Sequence, residues 1–226
     1  MISVVVPFYR EKKIAENALL IADSLKSLGD YQIVLVSDGG LSESKQLLKT
    51  LLKKNPRIKL IGYEKNQGRG YALKIGLSKA KGEMISYIDA DMDVNPAYLP
   101  KLFKLLKIHP VVIGSKYHPQ SVITTTFYRR MAGRLFNLWV RLVLNSKASD
   151  HQIGFKGFQS VALHQVLSKT KDKRWMFDVE LLYYLQQAGW PIYEMPVNLR
   201  YGFGNVRGSF IKDFLKMCYY VILIKE

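Results

Sequence analysis

In the stretch YIDADMDVNP, residues 87–96, three carboxylates fall at alternate positions, Asp89, Asp91 and Asp93. The apolar run through Met84, Ile85 and Tyr87 leads into them, so a buried strand is expected to end there. On an extended segment alternate side chains point the same way, and Asp89 and Asp91 would then present their carboxylates to one point. Such a pair repels itself unless something positive lies between, and a hard divalent cation, Mg²⁺ or Mn²⁺, meets that need. Mg²⁺ uses one or two protein carboxylates and takes its other ligands from phosphate and water. Asp93 either joins the pair or, with Asn95 and Pro96 behind it, caps the next helix. The bland alternative for all three is a polar loop.

The other chemistry-bearing residues also sit at expected strand ends. In KNQGRGYALKIG, residues 65–76, Gly68 and Gly70 flank Arg69 just before a helix. Glycines let backbone approach a ligand, and a helix N-terminus with an arginine favours an anion, although a simple turn reads equally well. No G-K-[ST] follows, and Leu73 stands where a dinucleotide fingerprint would place its third glycine. Asp38 in VSDGG could accept hydrogen bonds from a base or ribose, or serve the turn before Gly39 and Gly40. Glu11, just after the first strand in PFYRE, either caps the next helix or contacts ligand. The four histidines, His109, His118, His151 and His164, show no metal-ligand spacing, so packing or solvated roles are expected.

These residues need elements to hold them, and the first half supplies an alternation. ISVVVPF, YQIVLVSD, RIKLIGY, EMISYIDAD and VVIGSKY read as strands. IAENALLIADSLKSL, ESKQLLKTLLKK, GYALKIGLSKA and PAYLPKLFKLLK read as helices between them. This is an α/β pattern, a mostly parallel sheet flanked by helices on both faces. Ligands of such sheets bind beyond the carboxyl ends of the strands, where Pro7, Asp38, Asp89, Asp91 and Lys116 all fall. After residue 118 the rhythm changes to a long helix, Phe127–Leu144, then SDHQIGFKGF, a helix through FDVELLYYLQQA, a strand PIYEMPV and a helical end.

Across the chain of 226 residues, a net charge of +16 implies an anionic partner such as a phosphorylated metabolite, an acidic membrane surface or nucleic acid. The single cysteine, Cys218, excludes an internal disulfide and suits a reducing cytoplasm. MISVVVPFYR reads as a strand rather than a leader, and no apolar stretch approaches the roughly 20 residues that span a bilayer. Two segments could nevertheless lie on a membrane. Arg130, Arg134, Asn137 and Arg141 form one stripe of the long helix beside Met131, Leu135, Leu138, Trp139 and Leu142. In the tail, Phe210, Phe214, Met217, Tyr220 and Leu223 repeat at helical spacing among Lys212, Lys216 and Lys225. A core helix with a solvated arginine face, and a tail packed on its own domain, are the alternatives.

In their order, VVPFYRE, VSDGG, NQGRGYAL and YIDADMD closely resemble the nucleotide-binding half of inverting GT-A glycosyltransferases of family 2. Ser37 stands where that family often carries a second acidic residue. GSKYHP, YRRMAGRLFN, SDHQIGFKGF and RWMFDVELLYYLQQAGWPIYEMPVNLRY resemble the dolichyl- and polyprenyl-phosphate sugar synthases, the glucose branch first and the mannose branch next. The resemblance implies a Rossmann-like GT-A domain over 1–200, with a nucleotide-sugar half, 1–120, and an acceptor half, 121–200. Residues 201–226 would be an amphipathic, membrane-associating extension. It further implies that Asp89 and Asp91, with or without Asp93, hold the metal on the donor diphosphate, and that Asp38 lies near the base. Lys116 and Arg130 would serve phosphates, Asp150 and Gln152 would border the sugar or acceptor, and Asp178 would lie by the acceptor site. The acidic residues of FDVELL, Asp178 and Glu180, otherwise read as partners of a helix dipole.

The expected activity is transfer of a hexose from UDP-glucose or GDP-mannose to a polyprenyl phosphate, with the protein peripheral on the cytoplasmic face of a membrane. A separate membrane-anchor protein is compatible with this reading. An acceptor that is already anionic has little need of a general base. A family 2 enzyme acting on a saccharide or protein hydroxyl would need one, and Asp150 is the candidate. A non-catalytic basic module binding nucleic acid or membrane explains the charge but not the ordered aspartates, and no RNA motif or zinc finger supports it.

Overall fold

The computed structural model describes residues 1–40, 45–200 and 210–225. The expected helix start at Glu43, the junction 201–209 and the side chains of Phe210 and Lys212 lie outside the described residues. The strands are β1 (Ile2–Phe8), β2 (Tyr31–Asp38), β3 (Ile58–Tyr63), β4 (Met84–Ile88), β5 (Val111–Ser115), β6 (Val122–Thr124), β7 (Phe155–Gln159), β8 (Ile192–Pro196) and β9 (Asn198–Arg200). The helices are α1 (Ile14–Leu25), α2 (Lys45–Lys54), α3 (Arg69–Lys79), α4 (Leu99–Leu106), α5 (Phe127–Leu144), α6 (Ser160–Leu167), α7 (Phe177–Gln187) and α8 (Phe210–Lys225).

Seven strands form one sheet in the order β3-β2-β1-β4-β7-β5-β8, and β6 pairs with β9 beside it. All neighbours in the large sheet are parallel except those of β7, which runs antiparallel to both β4 and β5. The sequence reading lacked β6, β7, β9 and α6. β7, FKGFQ, carries a lysine and a glycine within five residues and so gives no apolar run. Its membership comes instead from long-range pairing, Tyr87 opposite Lys156 and Ile85 opposite Phe158. The second half of the chain therefore completes the sheet begun by the first.

Alternation along β1 sends Val4 and Val6 to one face and Val5 to the other. The first face is covered by α1, α2 and α4, the second by α3, α6 and α7. A third cluster joins Phe136, Val140 and Leu144 of α5 to Val179 of α7 and Val221 of α8. The tail packs onto its own domain through it. Phe136 meets Phe214 edge-on at 6.5 Å, and the Trp139 indole donates to the Cys218 carbonyl at 3.0 Å. α5 stops at Asn145, whose left-handed backbone (φ 49°) suits an asparagine.

Phe158 is fully buried beside Tyr87, with ring centroids 6.0 Å apart. If β7 is an interior strand, Phe158→Ala destabilises the protein by about 3–5 kcal/mol. Urea unfolding with an unchanged m-value measures this, and a loss typical of a surface loop, below about 0.5 kcal/mol, would remove β7 from the core.

Candidate active site

The acidic stretch is built by a turn. β4 ends at Ile88, the Asp89 amide donates to the Gly154 carbonyl at 3.0 Å, and the Met92 amide donates to the Asp89 carbonyl at 3.3 Å. Met92 takes a left-handed backbone (φ 57°), a conformation unusual outside glycine and one that collects at functional sites. The expected extended presentation of Asp89 and Asp91 is thus corrected to a turn presentation. Asn17 of α1 anchors it by donating to the Ala90 carbonyl at 2.8 Å. Gly154 makes the turn possible, because a Cβ there would lie 1.8 Å from Asp89 Oδ2.

Asp91 is exposed and accepts from the Asp93 amide at 3.2 Å. Asp93 caps no helix; Asn95 does, accepting from the Ala97 amide at 2.9 Å. Burial pushes the Asp93 carboxyl up to about 6, and the charges of Asp91 and Asp89 add to this while Arg129 opposes it. That repulsion marks a place where an added cation stabilises, and an all-oxygen donor set suits Mg²⁺ or Mn²⁺. Among the described residues no three His, Cys, Asp or Glu side chains already converge as a metal cluster.

Beneath the turn lies a buried chain of charges. Arg69 places Nε and Nη2 each 2.8 Å from Asp89 Oδ1, and Nη1 donates to Asp178 Oδ2 at 2.5 Å. Asp178 Oδ1 accepts from Lys156 Nζ at 2.8 Å and from the Tyr87 hydroxyl. Lys156 has no exposed surface and also donates to the Ile153 carbonyl at 2.5 Å. Burial alone would raise the Asp178 carboxyl, but Arg69 and Lys156 hold it down at about 2. Burial also drives Asp89 upward, against the pull of Arg69. The guanidinium expected to await an anion at the helix start is committed to two carboxylates. Asp178, read as a dipole partner or an acceptor-side residue, is the hub of this network.

Asp38 is engaged by the loop that follows β3. Its Oδ1 accepts from the amides of Gln67 (2.7 Å) and Gly68 (3.2 Å), and its Oδ2 from Gly68 N and Asn66 Nδ2, both at 2.9 Å. The carboxylate organises the NQG loop. Gly68 (φ 110°) admits the 172–174 backbone rather than a ligand, since a Cβ there would fall 2.3 Å from the Lys173 carbonyl oxygen. The facing segment before α7 is held by Glu180, whose Oε2 accepts from the amides of Lys171 (2.6 Å) and Asp172 (2.9 Å). Glu180 is therefore a loop anchor rather than a helix-dipole partner. Pro7 is buried within β1 opposite Val36, and Glu11 accepts from the Lys13 amide at 2.9 Å in the turn before α1, which has no side-chain cap.

On the other side, Asp150 is fully buried and accepts from Lys116 N (2.8 Å), Lys116 Nζ (2.9 Å) and Gln152 N (3.3 Å). The Lys116 ammonium and two amides thus engage Asp150, the candidate base, from within the fold. Asn137, expected in the exposed cationic stripe, is buried; it donates to the Gly133 carbonyl at 2.8 Å and accepts from His151 N and Nδ1 at 2.9 and 2.8 Å. The second ring nitrogen of His151 meets Ser146 Oγ at 2.8 Å. A cavity of about 730 Å³ runs between these two sides. Its lining includes Arg69, Asp89 and Asp178 together with Lys116, Gln152, Arg129, Arg130 and Arg134. Trp175, Phe136, Phe214 and Met217 form its apolar part. Arg130 also donates to the Ile123 carbonyl at 3.0 Å. Sequence reasoning missed Lys156, Asn17, Arg129 and Trp175; only Lys156, a charge inside FKGF, left a visible signal.

His151 generates a pH prediction. Burial lowers its imidazole from 6.5 to about 4 in the folded protein. The unfolded chain binds the proton below about 6.5 and the folded chain only below about 4, so stability falls as pH drops through that window, by up to about 3 kcal/mol in total. His151→Asn, which keeps a donor toward Asn137, removes one proton's worth of slope from denaturation midpoints measured between pH 6.5 and pH 4.

Residues 3–167 match the family described as Glycosyl transferase family 2. Glycosyltransferase AglD of Haloferax volcanii is 28% identical over 222 residues, which are 96% of this chain and 35% of that protein. Dolichyl-phosphate beta-glucosyltransferases of Homo sapiens and Dictyostelium discoideum are 29% and 27% identical, each match covering 87% of this chain and 66% and 65% of theirs. The chain thus spans between about a third and two thirds of the length of these relatives. In fold it is similar to glucosyl-3-phosphoglycerate synthase of Mycobacterium tuberculosis solved with Mn²⁺, uridine diphosphate and glucosyl-3-phosphoglycerate, with a TM-score of 0.70 at 16% identity, covering 100% of this chain and 78% of that one. A mostly parallel sheet, acidic residues at the end of β4 and a family match over most of the sequence agree: the chain belongs to glycosyltransferase family 2.

Proposed function

We propose that this glycosyltransferase moves a hexose from a nucleoside diphosphate sugar to a polyprenyl or dolichyl phosphate with inversion. The composition of the cavity carries this reading. Its lining combines the carboxylates Asp89 and Asp178, the cations Lys116, Arg129, Arg130 and Arg134, and the apolar Trp175, Phe136, Phe214 and Met217. Acidic, cationic and apolar groups around one cavity suit a metal-held diphosphate, a phosphate acceptor and the start of its hydrocarbon chain. The names of the relatives, dolichyl-phosphate beta-glucosyltransferases, point to the same acceptor.

Asp89 and Asp91, joined by Asp93, would hold Mg²⁺ or Mn²⁺, which when bound neutralises charge on the departing diphosphate. The strand ends that carry Pro7 and Asp38, with the NQG loop that Asp38 orders, would border the base. Lys116, Arg130 and Arg134 would hold the acceptor phosphate so that its oxygen faces the anomeric carbon, where the bond to the diphosphate breaks as the new one forms. That oxygen is already anionic, and Asp150 and Asp178, each held by three hydrogen bonds and paired with a lysine or arginine, are poor bases for a hydroxyl acceptor. This favours the phosphate over the saccharide or protein alternative.

Residues 1–120 serve as the donor half, 121–200 as the acceptor half, and the C-terminal segment with α5 as a membrane contact. No described helix is long and apolar enough to cross a membrane. α5 exposes Phe127, Tyr128, Leu135, Leu138 and Leu142, and α8 exposes Leu215, Tyr219 and Ile222. With Arg130, Arg134 and Arg141 exposed on α5, these faces suit the anionic cytoplasmic leaflet, with or without a separate anchor protein.

UDP- and GDP-sugars offered with polyprenyl phosphate, a saccharide acceptor, and Mg²⁺ or Mn²⁺ test the reading, with products identified by mass. One lipid-linked hexose phosphate is expected, and transfer to the saccharide alone would overturn it. Asp91→Asn abolishes transfer without lowering the thermal midpoint; full metal-dependent turnover by that variant removes Asp91 from the site. Leu138→Glu with Leu142→Glu weakens flotation with anionic vesicles by at least about tenfold, since each buried leucine contributes about 1.5–3 kcal/mol.

A further inference from the structure

We infer that Asp178, backed by Lys156 and Tyr87, is a positioning residue that sets the orientation of Asp89 through Arg69. The inference rests on the reading that Asp89 serves the donor's metal. Four elements meet at this point: Arg69 opens α3, Tyr87 lies on β4, Lys156 lies opposite it on β7, and Asp178 begins α7. Asp178 divides its two oxygens. Oδ1 takes Lys156 Nζ and the Tyr87 hydroxyl, both from the sheet, while Oδ2 takes Arg69 Nη1. The guanidinium plane is thereby fixed at one edge, and its other edge, Nε and Nη2, closes on Asp89 Oδ1.

Asp89 Oδ1 is consequently occupied, and Oδ2 lies against Gly154, where the backbone has room only for hydrogen. The Asp89 side chain keeps about a third of its surface exposed for a cation while Arg69 and Gly154 hold its other side, and through Arg69 Asp178 sets where it stands. Asp178 itself is held by Arg69 and Lys156, which keep it ionised and weakly basic, and this separates its role from that of a base. An outer partner of this kind, oriented by a second charged pair, is the usual means by which a protein holds a ligating carboxylate in register. Lys156 supplies the counter-charge that lets Asp178 remain ionised without water, and Tyr87 fixes the same oxygen without adding charge.

Binding of Mn²⁺ with UDP, and of Mn²⁺ with GDP, is measured by calorimetry on the full chain, alongside thermal midpoints and steady-state kinetics. Asp178→Asn is expected to weaken Mn²⁺–nucleotide binding by about 10–100-fold, the range seen when outer-shell partners are lost. Its kcat falls while the KM for polyprenyl phosphate stays within about twofold, because the acceptor side is untouched. Tyr87→Phe, which leaves every charge in place, is expected to weaken the same binding by about threefold, the loss of one hydrogen bond near the low end of its worth. A purely structural ion pair would lower the midpoint and leave the affinity of the folded protein unchanged. Affinities within twofold of the parent in folded Asp178→Asn overturn the inference, and if that variant does not fold, an unchanged affinity in Tyr87→Phe does so. A parent protein that binds neither nucleotide with Mn²⁺ overturns the donor reading itself, a result distinct from a parent that binds and variants that bind equally well.

Discussion

An ammonium with no exposed surface, Lys156, and a carboxylate with almost none, Asp178, cannot stand apart in this protein. Removing such ions from water costs several kcal/mol each, and only near-complete pairing offsets it. Their pairing with Tyr87 and Arg69 fixes where β4, β7, α3 and α7 must meet. Tyr87 and Lys156 are direct cross-strand partners, so their side chains leave the sheet on the same face, toward the helices that bring Arg69 and Asp178. Counting Asp89, the cluster holds two negative and two positive groups, a balance that lets it lie under a site without imposing a field of its own.

Carboxylates elsewhere in the molecule repeat the same economy. Asp38, Asp150, Glu180 and Asp172 each collect backbone amides of a neighbouring loop. Loops around a cavity leave many amides without a strand or helix partner, and an ionised acid satisfies two or three of them at once. In a chain with 18 acidic residues against 34 basic ones, most of the buried acids are therefore spent on architecture. In the acidic turn itself Asp91 is exposed and Asp89 and Asp93 are half-buried, so all three keep a surface to present.

This division explains what could be read from the sequence. Regular periodicity announced β1 to β5, the helices between them and α5, whose expected bounds, Phe127–Leu144, are those observed. The positions at strand ends followed from that periodicity, and the family from the order of the motifs. Spacing could not reveal that Asp38 faces the NQG loop 28 to 30 residues away, or that Arg69 reaches Asp178 across 109. Such partners are chosen by tertiary packing, and a residue type that suits a ligand suits a buried amide equally well. β7 escaped for a related reason, because the lysine that breaks its apolar pattern is the one the charge cluster requires.

The same packing governs how the cationic helix can behave. Asn137 on α5 holds both the backbone and the ring of His151, and His151 is the immediate neighbour of Asp150, which grips Lys116. Tyr117, next to Lys116, returns to Asn137 through its hydroxyl at 3.4 Å. The helix that presents Arg130 and Arg134 to the cavity is thus tied at its middle to the residues that form the opposite part of the same wall. A neutral imidazole with a donor at Nδ1 fits Asn137 Oδ1 and the Ser146 hydroxyl, and burial is what disfavours its protonated form. Rigid attachment of this kind places the arginines by the fold rather than by the surface on which the helix rests. A membrane beneath α5 and α8 would accordingly orient the whole cavity toward the bilayer, without having to assemble its wall.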